Sequence, residues 1–216
     1  MARTKPSELA RDRILTDDEI RKIWRAAGDM KNAFGPLCRF ILLTATRKNE
    51  AAHMRRDEIE DRAIEVGGRK STTEAWTIPA ARNKSKRDCV IPLSGAAKGI
   101  LDKLPVIGDG KRVFTHDGVT FIGGFSKFKT ALDKASGVTG WRLHDLRRTA
   151  RSLMSRARVE SDIAERCLGH VINGVRGVYD RYEYLPEKQL AFEKLATTLA
   201  AIIDPKANVV AMRGKS

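Results

Sequence analysis

The residues best suited to chemistry in this chain are cationic, and they come in a fixed order. The segment Arg142-Leu143-His144-Asp145-Leu146-Arg147-Arg148-Thr149 puts His144 and Arg147 three apart, on one helix face. Leu143 and Leu146 can anchor that helix to a core. A forked guanidinium beside an imidazole is suited to holding a phosphate. By itself, H-x-x-R describes equally well a surface arginine and a satisfied helix histidine. Its company is more informative. Cys167-Leu168-Gly169-His170 follows, with His170 26 positions after His144, and Tyr179 lies nine positions after His170. Upstream, the apolar run Leu42-Leu43-Thr44-Ala45-Thr46 ends in Arg47, and Glu50 follows three residues later. Lys84 sits in a basic stretch eight residues before Pro92.

Local pattern predicts the elements that position these residues. Thr16-Asp17-Asp18-Glu19 is a capping box opening a helix whose apolar positions are Ile20, Ile23, Trp24 and Ala27, with Gly28 at its end. Pro36 starts a second helix, Leu37 to Thr46, apolar almost all round and therefore central. A short third helix runs from Lys48 to Met54. Residues 75–79 and 89–93 read as two strands of a small antiparallel sheet, joined by the basic tip Arg82-Asn83-Lys84-Ser85-Lys86-Arg87. Ile59, Ile64 and Val66 lie among charges before them. Helices are predicted at 94–104, 125–136, 143–157, 161–168 and 186–203, with a short extended piece at 113–115. No internal repeat is visible.

Composition narrows the partner. The chain has 216 residues, 41 basic against 27 acidic, for a net charge of +14. That excess points to a polyanion, nucleic acid before an anionic membrane. No apolar run approaches a membrane span, and the first residues lack the apolar region of a signal peptide. The three cysteines, Cys38, Cys89 and Cys167, are odd in number and widely spaced, which argues against a disulfide framework and for a reducing cytoplasm. Cys167 and His170 form one C-x-x-H pair, but no second pair completes a zinc site.

The order Arg…Lys…His-x-x-Arg…His…Tyr resembles the tyrosine recombinases, or phage-type integrases, over roughly residues 12–203. The stretches TATRKNE, WTIPAARNKSKRDCVIPLS, LHDLRRT and LGHVINGVRGVYDR look like integrases carried by prophages and genomic islands. The resemblance implies a mainly α catalytic domain with a small antiparallel sheet (α+β). It implies that Arg47 and Arg147 hold the scissile phosphate and that Lys84 protonates the leaving 5′ oxygen. His144 assists proton transfer at the attacking tyrosine, and His170 hydrogen-bonds a phosphate oxygen. Tyr179 is the nucleophile, forming a 3′-phosphotyrosine. Glu50 supports the site from behind. Arg82, Lys86, Arg87 and Arg148 are candidate DNA-backbone contacts.

That residue set suits the reaction. Attack on a phosphodiester adds charge at phosphorus, and fixed cations can meet it in place of metal ions. A phenol of pKa about 10 needs a nearby base or a strong positive field to react at neutral pH. The covalent link conserves the broken bond, so no cofactor and no ATP are implied. Alternatives stand beside several assignments. Arg47 could merely cap the second helix, and His170 could be a core histidine. Lys86 competes with Lys84, though register to Pro92 favours Lys84. Tyr179, Tyr182 and Tyr184 are the chain's three tyrosines, and spacing from His170 favours Tyr179. His53 and His116 match no motif position and read as solvated surface. Lys127, Lys129 and Lys134 give a basic helix that could face DNA or water.

The expected organisation is a basic lead-in over 1–12, a catalytic domain over 13–203 and a basic tail over 204–216, with core-binding and arm-binding domains absent. The resemblance also implies double-stranded DNA as partner, a homotetramer on DNA through segment 186–203, a monomer when free, and a cytoplasmic, DNA-associated bacterial protein. Two competing functions are a non-cleaving DNA-binding regulator of excision and a type IB topoisomerase-like relaxation enzyme.

Overall fold

Thr16 caps the first helix, α1 (Asp17–Asp29), in both directions. Its hydroxyl accepts from Glu19 N at 3.2 Å, and Glu19 Oε2 accepts from Thr16 N at 3.0 Å. The computed structural model describes residues 12–66, 68–83, 85–170 and 182–205. Lys84 and Tyr179 lie outside the described residues, as do the lead-in before Asp12 and the tail after residue 205. Further helices are α2 (Phe34–Thr44), α3 (Lys48–Ala52), α4 (Gly95–Leu101), α5 (Phe125–Ser136), α6 (Leu143–Arg156), α7 (Ser161–Cys167) and α8 (Leu185–Ile203).

Helix α2 is the hub. Phe34, Leu37, Phe40, Ile41 and Leu42 are fully buried, and α1, α4, α5, α6 and α8 all pack on it. Pro36 stands at its third position rather than its first, because Phe34 N is already held by Asn32 Oδ1 at 3.0 Å. Gly35 lets α1 approach closely: a Cβ there would lie 1.9 Å from the Ala27 carbonyl oxygen. Phe40 meets Trp76 at 5.9 Å and Phe114 at 5.6 Å between ring centroids, joining the helices to the sheet.

The sheet has three antiparallel strands, one more than local pattern predicts: β1 (Ile59–Val66), β2 (Arg69–Ile78) and β3 (Cys89–Pro92), in the order β1-β2-β3. β1 is an edge strand that is mostly solvated, so charges fill it and the apolar alternation that would announce it is missing. Residues 113–115 form no sheet strand. They are held by Val113 N donating to Met54 O and Ile122 N to Phe114 O.

Helix α8 belongs to the core of this same chain. Phe192, Leu195, Leu199 and Ile202 are buried, against α1, α2, α6, α7 and β3. Lys188 of the same helix is also buried and donates to Val90 O at 2.9 Å. Burial pushes its pKa down. No helix of the described residues is long and apolar enough to cross a membrane.

Candidate active site

Arg47, His144 and His170 sit at element ends, where backbone groups lack helical partners, while Arg147 lies one turn into a helix. Helix α2 finishes at Ala45, a non-glycine residue in the left-handed region at φ 52°. Two residues on, Arg47 is the N-cap of α3. Glu50, the third residue of that short helix, reaches back to both its ends: Oε2 accepts from Arg47 N at 2.9 Å and Oε1 from Arg47 Nη1 at 2.6 Å. Glu50 is buried while Arg47 is part-exposed. The acid therefore aims the guanidinium outward from beneath.

Arg147 is a different kind of arginine. It lies on α6, only 3% exposed. Its Nη1 donates to Ala45 O at 2.6 Å and its Nη2 to Leu168 O at 2.8 Å. It thus ties the end of α2 to the end of α7. Burial, and then the neighbouring charge of Arg47, lowers its pKa to about 10. It remains a cation at neutral pH, under strain from desolvation.

The N-terminus of α6 supplies the rest. Asp145 is fully buried; its Oδ2 accepts from Arg142 N at 2.8 Å and its Oδ1 from Arg148 Nη1 at 3.0 Å. His144 is exposed beside it. Burial first, then the charges of Arg148 and Arg147, lower its pKa, so the ring is neutral at pH 7 and can accept a proton.

His170 arrives by a Schellman turn. Gly169, in the left-handed region at φ 67°, donates to Arg166 O at 3.0 Å, and His170 N donates to Glu165 O at 3.1 Å. Gly169 is needed twice, since a Cβ there would also meet Cys89 Sγ at 3.0 Å. The His170 ring stands with Nε2 at 3.1 Å from Arg147 Nη2 and Nδ1 at 2.5 Å from Glu165 Oε2.

Arg47, His144, Arg147, Arg148 and His170 line one cavity of about 450 Å³, together with Arg151. Arg47 and His144 also border an adjoining groove of about 720 Å³ that runs to Arg82 and Lys86. Such a pocket can hold a tetrahedral anion against forked donors that are already in place. The basic tip divides in two. Lys86 and Arg87 are exposed, whereas the Arg82 guanidinium is held by Glu58 and by the His53 carbonyl. Glu58 in turn accepts from Trp76 Nε1 at 3.0 Å. Arg82 therefore anchors the tip to the sheet. On α5, Lys129 pairs with Asp133 at 2.6 Å and lies over the Trp141 ring. His53 and His116 are surface residues, their rings set against Phe121 and Phe128. Spacing alone does not mark Glu165 or Asp145 as site residues. The Glu165 signal was available, because a Schellman turn at L-G-H brings together residues five apart.

No protein-family model matches the chain. Over 182 residues it is 35% identical to the prophage integrase IntA of Escherichia coli (strain K12), an alignment covering 80% of this chain and 40% of that protein. The chain thus spans less than half the length of this curated relative. The catalytic core of lambda integrase matches with a TM-score of 0.56 at 21% identity, covering 74% of this chain and 96% of that one. A lambda integrase tetramer bound to a Holliday junction matches with a TM-score of 0.52 at 20% identity, covering 83% of this chain and 51% of that one. At these identities the solved structures share the fold.

Proposed function

We propose that this chain, which by fold and sequence kinship belongs to the tyrosine recombinases, is a site-specific recombinase catalytic domain over residues 13–203 that breaks and rejoins DNA strands. The observation that carries the reading is the convergence of Arg47, His144, Arg147 and His170 on one cavity. They come from three separate places in the sequence, and Arg47, Arg147 and His170 are each held from behind by a carboxylate or a carbonyl.

In the proposed reaction the scissile phosphate enters that cavity. Arg47 and Arg147 hold its non-bridging oxygens, and His170 donates to one of them. Tyr179 attacks phosphorus through its phenolic oxygen, and its proton passes to the neutral imidazole of His144. The bond from phosphorus to the 5′ oxygen breaks, and that oxygen takes a proton from Lys84. A 3′-phosphotyrosine ester remains. A 5′ hydroxyl from another strand then attacks the ester and restores the phosphodiester; its proton passes to Lys84, while His144 returns its proton to the departing Tyr179 oxygen. The ester conserves the bond, so the cycle needs no ATP and no metal ion. Glu50 keeps Arg47 in place throughout, and Lys86, Arg87 and Arg148 add cationic surface for the DNA backbone.

The proposed partner is double-stranded DNA, met in the cytoplasm of a bacterial cell. The proposed assembly is a monomer when free and a homotetramer on DNA through 186–203. Phe192, Leu195, Leu199 and Ile202 of that segment are buried in their own domain. Exchange between copies must first uncover a face worth about 8 kcal/mol at roughly 2 kcal/mol per side chain, which a neighbour's core then restores.

The test is covalent trapping. The protein is mixed with supercoiled plasmid at low salt in excess EDTA and quenched with detergent, alongside Tyr179→Phe and Tyr182→Phe. A protein-linked nicked product lost only in Tyr179→Phe supports the reading and names the nucleophile. Tight DNA binding with no adduct, in this chain and in a longer one, favours a non-cleaving regulator. Relaxation without exchange between two marked duplexes favours a topoisomerase-like enzyme.

A further inference from the structure

We propose that Glu165 is a positioning residue for His170: braced by Arg151, it accepts the hydrogen bond from Nδ1–H and so commits Nε2 to the reacting phosphate. The inference rests on the reading above in one respect, that a phosphate enters the cavity.

The argument begins with donors and acceptors. A guanidinium only donates and an ionised carboxylate only accepts. Arg147 Nη2 lies 3.1 Å from His170 Nε2, and Glu165 Oε2 lies 2.5 Å from His170 Nδ1. Both contacts are satisfied together only if Nδ1 carries the proton and Nε2 offers its lone pair. Glu165 is itself fixed, because its other oxygen accepts from Arg151 Nε at 2.8 Å. Those two hydrogen bonds outweigh burial and hold the Glu165 carboxyl below its usual range.

The turn makes this pairing unavoidable. Glu165 is the third residue from the end of α7 and His170 the second after its cap, the two positions a Schellman turn brings side by side. An apolar contact ordinarily fills that place. Here it is filled by an acid and an imidazole, at the edge of the cavity that Arg47, His144, Arg147 and Arg148 also line. When a phosphate oxygen replaces Arg147 Nη2 beside Nε2, the ring donates at both nitrogens as the imidazolium, with a proton taken from water. The carboxylate on Nδ1 stabilises that charge, as second partners do for catalytic histidines generally.

The distinguishing variant is Glu165→Gln. Glutamine has a single acceptor oxygen, and two donors claim it. If the oxygen faces Arg151, its amide faces Nδ1, forcing the proton to Nε2 and against Arg147. The assay is ring ¹⁵N NMR on protein labelled at histidine, with His170→Asn to assign the signal. The wild type is expected to show His170 as the Nδ1-protonated tautomer, and Glu165→Gln is expected to lose that pattern. Adding Arg151→Met frees the glutamine oxygen for Nδ1 and is expected to bring the pattern back. Adduct formation on plasmid should fall roughly ten- to a hundredfold in Glu165→Gln and recover in part in the double variant. A His170 ring signal unchanged by Glu165→Gln, or a wild type protonated at Nε2, overturns the proposal. A merely structural role would move the melting temperature and leave the tautomer alone. If neither this chain nor a longer one forms an adduct, the recombinase reading fails while the ring signals still decide the role of Glu165.

Discussion

In the proposed reaction Arg147 has two jobs, one structural and one catalytic, whose energies can be separated. Substituting Arg147→Met keeps a flexible stem of similar width in the core and removes the charge. In the folded protein the charge is costly: a guanidinium displaced to about 10 from 12.5 carries about 3 kcal/mol against its ionised form. That penalty disappears in the variant. Against it, the carbonyls of Ala45 and Leu168 lose the donors they now have at 2.6 Å and 2.8 Å. Each orphaned buried carbonyl costs about 1–3 kcal/mol. The two sides nearly cancel, so the expected change in melting temperature is within about 5 °C for a domain of this size. Catalysis has no such compensation. A pre-placed donor on the developing phosphorane charge is worth roughly 10²–10³ in rate when it is a neutral group, and a buried guanidinium fork should be worth at least as much. Arg147→Met should therefore lose adduct formation by about 10³-fold while unfolding nearly where the wild type does. Thermal unfolding and detergent-quenched adduct yields, taken on one preparation, read both. Adduct formation within tenfold of the wild type would refute the placement of Arg147 on the phosphate. A fall in melting temperature beyond about 10 °C would refute the cancellation.

Three further outcomes follow from the same geometry. Gly35→Ala must push α1 off α2, because the new Cβ falls 1.9 Å from the Ala27 carbonyl oxygen; a loss of about 1–3 kcal/mol in urea unfolding is expected. At the basic tip, Lys86→Ala and Arg87→Ala should each lower the slope of log binding against log salt by about 0.9. Arg82→Ala should leave that slope nearly unchanged and lower the melting temperature instead, since Arg82 is held by Glu58 and the His53 carbonyl. For His144, the folded pKa lies below the unfolded 6.5, so between those values the unfolded chain binds more protons. Its contribution to stability is present above 6.5 and is lost as pH falls through that window. The wild type should accordingly lose more stability than His144→Gln between about pH 7 and about pH 5, read as urea midpoints; an equal or opposite slope speaks against a depressed His144.

What could be read from the sequence is what local chemistry decides. The Thr16 capping box, the limits of α5 at Phe125 and Ser136, and Gly169 before His170 each depend on a few neighbouring residues. The mainly α fold with a small antiparallel sheet was legible for the same reason, helix by helix. What was not legible depended on partners far along the chain. β1 carries Ile59, Ile64 and Val66 among charges because one side of it meets water, so no alternation marks it. Arg82 belongs to the basic tip by composition, yet its fate is set by Glu58, 24 residues earlier. The cationic motif gave the face shared by His144 and Arg147. It could not say that Arg147 is buried and His144 exposed, since that depends on where α2 ends and turns the Ala45 carbonyl inward.

The arrangement also explains why so many like charges tolerate one another without DNA. Arg47, Arg147 and Arg148 share a cavity with two imidazoles. Left alone, crowded charges of one sign, with Arg147 buried among them, would weaken the site. Each instead rests on a fixed acceptor on its inner side: Glu50 under Arg47, Asp145 under Arg148, two carbonyls under Arg147, and Glu165 under His170. These acceptors take some of each side chain's hydrogen bonds on its inner side. The depressed pKa of Arg147 reflects its burial first and the neighbouring charge of Arg47 second. In the proposed reaction a phosphate entering the cavity would offset both, and the extra charge that develops at phosphorus during attack would offset them further. The stability forgone in the empty domain would then favour binding of the transition state.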